Sequence, residues 1–263
     1  MIWVDTLGMA ASSAMHPDLL AATLRAAGCV FAEDEAALLL REATDAAALT
    51  SMVERRVAGE PLEQVVGFAE FCGLRIAVAP GVFVPRQRSA ALVRRAARGL
   101  RAGDVVVDLC CGTGALGAAL ASAVPGIDVH AADVDPAAVA CARRNLERVH
   151  EGDLYDALPR DLCGRVDVIV ANAPYVPTAA IATMPPEARD HEHRVALDGG
   201  ADGLDVQRRV IDGAPDWLAD GGRLLVESSD RQAPVSAALM TAAGLDAVID
   251  GQAVVGTRTT VRS

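Results

Sequence analysis

The tetrapeptide Asn172-Ala173-Pro174-Tyr175 closes the strand-like run Val166–Asn172 and offers a defined piece of nitrogen chemistry. An amide or conjugated-amine nitrogen is a poor nucleophile because its lone pair is delocalised. It reacts in line only when acceptors hold its N–H groups and gather negative charge against the developing positive nitrogen. The Asn172 side-chain oxygen and the Ala173 carbonyl are two such acceptors. Pro174 restricts Ala173 to extended geometry, and the Tyr175 ring can stack on a planar acceptor. The same residues also suit an Asx-type turn with a packing tyrosine.

A second constellation lies upstream. Val105-Val-Val-Asp108-Leu-Cys110-Cys111-Gly112-Thr113-Gly114-Ala-Leu-Gly117 reads as a strand ending in acid, then a glycine turn, then a helix. Glycine belongs where backbone turns tightly and lies against a ligand. About twenty residues later, Val129-His-Ala-Ala-Asp133 is another strand ending in acid, placed to accept hydrogen bonds from both ribose hydroxyls of a nucleoside. The pair of signals favours a nucleoside cofactor over a packing role for the glycines.

The elements that must hold these residues follow from periodicity. Residues 1–64 read as a helical module, with helices over Ser13–Ala27 (ended by Gly28), Glu33–Ala43, and from a cap at Asp45 to Ala58. Val65–Phe68 and Leu74–Val78 resemble the strands of a hairpin, so residues 65–86 form a hairpin linker. From residue 87 to 263 strand and helix alternate. Strands are expected at Val105–Leu109, Val129–Asp133, Val166–Asn172, Arg223–Glu227 and Ala247–Asp250, with a last pair at Ala253–Gly256 and Thr259–Val261. That alternation predicts a mostly parallel α/β sheet covered on both faces, with ligands at the carboxyl ends of its strands.

Composition sets outer bounds. Of 263 residues, 52% are hydrophobic and 22% charged, which excludes intrinsic disorder. The basic side chains are all arginine, so Schiff-base and P-loop lysine chemistry is excluded. A net charge of −11 argues against direct DNA binding through a broad basic surface. Six cysteines without a C-x-x-C pair read as reduced thiols, and no apolar run approaches a bilayer span. The expected setting is the cytoplasm, away from membranes. Asp190-His191-Glu192-His193 is set aside as a metal cluster, because alternate residues of one loop seldom complete a ligand shell.

The Asp108–Gly114 turn resembles the D-x-G-x-G-x-G signature of class I S-adenosylmethionine methyltransferases, with Cys110 at the first glycine. Asn172–Tyr175 resembles the N-P-P-Y motif of N-methyltransferases. Nearly the whole chain is similar to the protein-(glutamine-N5) methyltransferases that modify peptide-chain release factors. The likeness runs through Pro61-Leu-Glu-Gln-Val-Val-Gly67, Phe83-Val-Pro85-Arg86, Gly152-Asp153-Leu154 and Glu192-His-Arg-Val-Ala-Leu-Asp-Gly-Gly200-Ala-Asp-Gly-Leu204. It implies a class I methyltransferase fold with a seven-stranded sheet, S-adenosyl-L-methionine as cofactor and a protein substrate such as a release factor, docked by the helical domain and hairpin. By the same resemblance Asp108, Cys110, Cys111, Gly112, Thr113, Gly114, Asp133, Asp153, Leu154 and Asn172 contact the cofactor. Asn172, Ala173, Pro174 and Tyr175 hold the glutamine amide.

Three positions and one short stretch depart from the family pattern. Ala173 replaces a proline, Leu154 an aromatic residue and His193 a proline. The acidic P-R-P-D-T-E stretch reads Pro85-Arg86-Gln87-Arg88-Ser89-Ala90, without its carboxylates. Clustered at one site, these departures point to a divergent paralogue. Its alternatives are a small-molecule N-methyltransferase and a cofactor-binding protein without catalysis.

Overall fold

The structure, a computed structural model, describes residues 16–259. The chain divides into two compact units, Met1–Val66 and Gly67–Ser263.

The first unit holds α1 (Pro17–Ala26), α2 (Ala32–Glu42), α3 (Ala46–Val57) and α4 (Leu62–Val66). Asp45 caps α3 by accepting the Ala48 N–H at 2.8 Å, as its residue type favours. Ser13, the expected start of the first helix, lies outside the described residues. Leu20, Leu24, Leu39, Leu49, Val53 and Val65 make one apolar core. Within the unit, Arg56 reaches the Glu35 carboxylate with Nε–Oε2 at 2.6 Å, both side chains buried. Val65 and Val66, expected in a strand, belong to α4: the Val65 N–H donates to the Pro61 carbonyl, Val65 fills the helical core, and Gly67 at φ +82° ends the turn.

The second unit opens with a hairpin, β1 (Phe68–Phe71) and β2 (Leu74–Ala77), joined by Cys72 and Gly73 at φ +51° and +79°. Two consecutive left-handed residues are the signature of a type I′ turn. There follow α5 (Ala90–Ala96), β3 (Val105–Leu109), α6 (Ala115–Ala123), β4 (Asp128–Asp133), α7 (Pro136–Ala142), β5 (Val149–Glu151) and β6 (Val166–Ala171). The chain continues through α8 (Pro186–His191), α9 (Asp205–Trp217), β7 (Leu218–Glu227), α10 (Ala233–Ala242), β8 (Leu245–Asp250) and β9 (Ala253–Arg258). The seven-stranded sheet has the order β5-β4-β3-β6-β7-β9-β8. Strands β3 to β7 run parallel, and β9 lies antiparallel between β7 and β8. Every residue of β3 is buried, as a central strand covered on both faces requires. Val106, Val168, Val170 and Leu225 pack on one face, and Leu109, Ile169, Val210 and Leu224 on the other.

Two strand expectations change. The strand expected at Ala253–Gly256 continues, because pairing with β8 carries β9 through Gly256 to Arg258; of the pair's second strand Thr259 lies outside β9, and Thr260 and Val261 fall outside the described residues. Strand β5, only three residues long, pairs parallel to β4 where no strand was expected. Among the described residues no helix is long and apolar enough to cross a membrane.

On β4 and β5, His130 Nδ1 lies 3.0 Å from His150 Nε2, with the rings at 7° to each other. Burial holds both imidazoles below their ordinary range, and at His150 the neighbouring His130, Arg143 and Arg148 add to it. Depressed histidines contribute stability above the unfolded value of about 6.5 that is lost as pH falls below it. Thermal melts should therefore drop as pH falls below about 6.5, and the His130→Gln/His150→Gln pair should flatten that drop.

Candidate active site

The carboxyl ends of β3, β4 and β6 meet at the point where the chain order reverses, between β3 and β6, the usual ligand crevice of such sheets. A cavity of about 280 Å³ opens there. Its wall includes Cys110, Cys111, Gly112, Thr113, Asp133, Asp153 and Leu154 from the strand-end loops, and Asn172, Ala173, Pro174 and Tyr175 after β6. The two constellations expected from sequence therefore share one cavity. Phe83, Pro85, Ser89, Asp135, Val195, Ala196 and Arg209 join them.

Asp108 and Gly114 do not reach the cavity wall. Asp108 is fully buried and accepts the Gly117 N–H at 2.9 Å, bracing the turn against α6. Burial pushes its carboxyl up to about 8, with the Gly117 bond opposing, so it is mostly protonated at neutral pH. Gly114, left-handed at φ +75°, starts α6, and a Cβ there would press on Leu146 and Ala142.

Asp133 holds the turn from the next strand. One carboxylate oxygen accepts the Gly112 N–H at 2.8 Å and the other the Asp135 N–H at 2.9 Å. Each oxygen keeps a second acceptor position. Burial raises its pKa against these hydrogen bonds. Asn145 ties the same turn to the hairpin: its side-chain amide donates to the carbonyls of Thr113 and Ala77 and accepts the Ala77 N–H.

Cys110 stands in the left-handed region at φ +54°, which costs a non-glycine residue about 1–2 kcal/mol. Burial, then Asp133 and Asp108, drive its thiol above its ordinary range, which makes it an inert wall instead of a nucleophile. Cys110→Gly should relieve that backbone strain and widen the turn. Tm should move little, since glycine's extra unfolded-state freedom of about 0.4–1 kcal/mol offsets the relief. Calorimetry should show S-adenosylmethionine binding strengthened by roughly threefold to fivefold, up to about 1 kcal/mol.

Behind Asn172–Tyr175 lies the loop Leu197–Leu204. The Val176 N–H donates to the Leu197 carbonyl and the Gly199 N–H to the Val176 carbonyl. Gly203, at φ +80°, passes so close that a Cβ would stand 2.3 Å from the Tyr175 carbonyl oxygen. Gly199, where a Cβ would stand 2.7 Å from the Pro174 carbonyl oxygen, and Gly203 thus let one backbone brace another. The Asn172 Oδ1 is buried and has no hydrogen-bond partner among the described residues. An unsatisfied buried acceptor costs about 1–3 kcal/mol, a cost that an incoming N–H removes.

Three contributors act through long-range pairs: the sequence places Glu192 and His193 only in the family-like loop and does not single out Arg209. Buried Glu192 accepts from the Val84 N–H at 3.0 Å and from Arg86 at 2.6 Å, fixing the Phe83–Arg86 wall. His193 Nδ1 meets Asp135 Oδ2 at 2.6 Å, beside Asp133. Arg209 meets Asp153 Oδ2 at 2.7 Å. Among the described residues no group of three or more His, Cys, Asp or Glu side chains is arranged to hold a metal.

This wall suits S-adenosylmethionine. Asp133 supplies acceptors suited to ribose hydroxyls and Leu154 an apolar flank, with the ion-paired Asp153 and Arg209 beside them. When bound, the cofactor supplies an electrophilic methyl group.

Residues 73–185 match the family model described as methyltransferase small domain. The chain is 40% identical over 193 residues to a release factor glutamine methyltransferase of Geobacter sulfurreducens, covering 71% of this chain and 67% of that protein. It is 39% identical over 203 residues to a 4-amino-L-phenylalanine/4-methylamino-L-phenylalanine methyltransferase of Streptomyces pristinaespiralis, covering 73% and 69%. In fold it resembles the crystal structure of a methyltransferase from Pyrococcus furiosus, with a TM-score of 0.53 at 20% identity, covering 72% of this chain and 90% of that one. Sheet order, cavity and matches define a class I S-adenosylmethionine-dependent methyltransferase. Within that class, the chain belongs to the release factor glutamine methyltransferase family.

Proposed function

We propose that the enzyme N5-methylates a glutamine side chain of a protein, a peptide-chain release factor being the best candidate, in the cytoplasm. The observation that carries the reading is Asn172 on the cavity wall, its Oδ1 buried and without a hydrogen-bond partner among the described residues. Together with the Ala173 carbonyl it holds the two N–H groups of a primary amide and offsets charge developing on its nitrogen. Pro174 fixes that carbonyl, and Tyr175 stacks on the amide plane. Asp133, Asp153, Leu154 and the Cys110–Thr113 turn hold the cofactor. Asp108 and Gly114 support that turn from behind. Transfer is direct and in line, with no covalent enzyme intermediate.

A second reading has its own support. The relative from Streptomyces pristinaespiralis, similar at nearly the same identity, is named for an aromatic amine of a free amino acid. Ala173 and the carboxylate-free Pro85–Ala90 stretch depart from the release-factor pattern in the same region. The two readings separate in one assay: labelled S-adenosylmethionine is offered with a release factor and, in parallel, with 4-amino-L-phenylalanine. Label on a protein glutamine supports the first reading. Label only on the small amine overturns it in favour of the second, and tight cofactor binding with neither product supports a non-catalytic role.

A further inference from the structure

We propose that Arg88 is a positioning residue for the acceptor, holding the Tyr175 ring by its phenol oxygen while anchored on the buried carboxylate of Glu227. The inference rests on the reading of Tyr175 as the ring that orients the acceptor. Arg88 falls in the Pro85–Ala90 stretch where this chain lacks the family's acids, so no family pattern assigns it a task.

The geometry is a clamp across three segments. Arg88 Nε donates to Glu227 Oε1 at 2.9 Å, and its Nη2 donates to the Tyr175 hydroxyl oxygen. The guanidinium carbon stands 5.8 Å from the Tyr175 ring centroid. Glu227, at the carboxyl end of β7, has a side chain only 6% exposed. Its second oxygen accepts the Ser89 hydroxyl, and its backbone carbonyl accepts Gln207 Nε2 at 3.0 Å. Tyr175 is fixed at its other end too, where its carbonyl accepts Gln232 Nε2 at 3.0 Å. Tyr175 is thus held at its phenol by Arg88 and at its backbone by Gln232.

Arginine suits the task because its planar fork meets two oxygens in fixed directions, whereas a lysine ammonium is a single point charge. Removing the fork frees the phenol and leaves Glu227 buried without its cation. Small displacements matter here, since a misplacement of about 1 Å can cost about 10²-fold in rate.

The test compares wild type, Arg88→Ala, Arg88→Lys, Tyr175→Phe, Tyr175→Ala and the double variant Arg88→Ala/Tyr175→Phe. The acceptor is whichever of a release factor or 4-amino-L-phenylalanine the wild type methylates. Arg88→Ala should lower kcat/KM for the acceptor by roughly 10–100-fold with cofactor Kd within about twofold, and Arg88→Lys should recover only part of it. The double variant should be no worse than Arg88→Ala, because both act through one contact. A loss below about twofold for Arg88→Ala, or effects of Arg88→Ala and Tyr175→Phe that multiply, would overturn the proposal. Indifference of the rate to both Tyr175→Phe and Tyr175→Ala would refute the orienting reading of Tyr175 itself, and the positioning role with it.

A second arm needs no acceptor. The protein has two tyrosines. Burial raises the Tyr175 phenol above its ordinary range and Glu227 adds to it, while Arg88 and Arg86 pull it back down. Ultraviolet titration should show one phenol ionising at higher pH in Arg88→Ala, and no such shift when Arg88→Ala is made in Tyr175→Phe. An unshifted phenol would contradict the clamp whatever the acceptor proves to be.

Discussion

Asn172→Ala is expected to lower the methylation rate by roughly 10²–10³-fold, the loss seen when one preorganised group facing a charge-developing atom is removed. The cofactor should still bind, with Kd changed by less than about fivefold. Stability gives the sharper signature. Most buried polar groups are hydrogen-bonded, so their removal strands a partner. Asn172 Oδ1 has no partner among the described residues, and truncation there strands nothing on its account. Tm should hold steady or rise, while activity collapses. Loss of activity with a large fall in Tm would instead mark Asn172 as a structural turn residue.

Asp133→Ala should have the largest effect on cofactor binding. The carboxylate does two tasks at once, holding the Gly112 and Asp135 N–H groups and facing the cavity. Hydrogen bonds to a charged group are worth about 1.5–3 kcal/mol each, so losing two to ribose weakens binding by about 3–6 kcal/mol, or roughly 10²–10⁴-fold. The turn itself also loosens, because two backbone donors lose their acceptor. Calorimetry with S-adenosylmethionine measures the first effect and thermal melting the second. Because burial raises this carboxyl above its ordinary value, wild-type affinity should begin to fall as pH drops through that raised value, while an exposed carboxylate would still be ionised. Unchanged affinity in Asp133→Ala would remove Asp133 from the cofactor site.

Much of this arrangement was legible in the residues. The central strand β3 announces itself as an unbroken apolar run, and Asp133 follows at the spacing a nucleoside site requires. The differences have particular causes. Gly256 reads as a strand break, yet its missing side chain makes room for α10: a Cβ there would lie 2.8 Å from Met240 Sδ, so β9 continues through it. Val149-His150-Glu151 is too short and too polar to register by alternation, and β4 alone makes it a strand. Val65 has strand-like chemistry, but Pro61 ahead of it starts a helical turn.

The acceptor site was half visible. Asn172–Tyr175 forms a contiguous motif, so its chemistry can be read locally. Its supports cannot, because Arg88 and Glu227 are 139 residues apart and Val84 and Glu192 are 108 apart. No periodicity links such pairs; only the sheet topology brings them together. Asp108 misled in the opposite direction. Its motif position suggested ligand contact, but full burial and the Gly117 bond place it beneath the turn.

The most direct measurement is tandem mass spectrometry of a release factor incubated with the enzyme and S-adenosylmethionine, alongside Asn172→Ala as control. The expected result is one added methyl group on the side-chain nitrogen of a single glutamine, present with wild type and absent with the variant. A release factor left unmodified by an enzyme that binds its cofactor and methylates 4-amino-L-phenylalanine would contradict it.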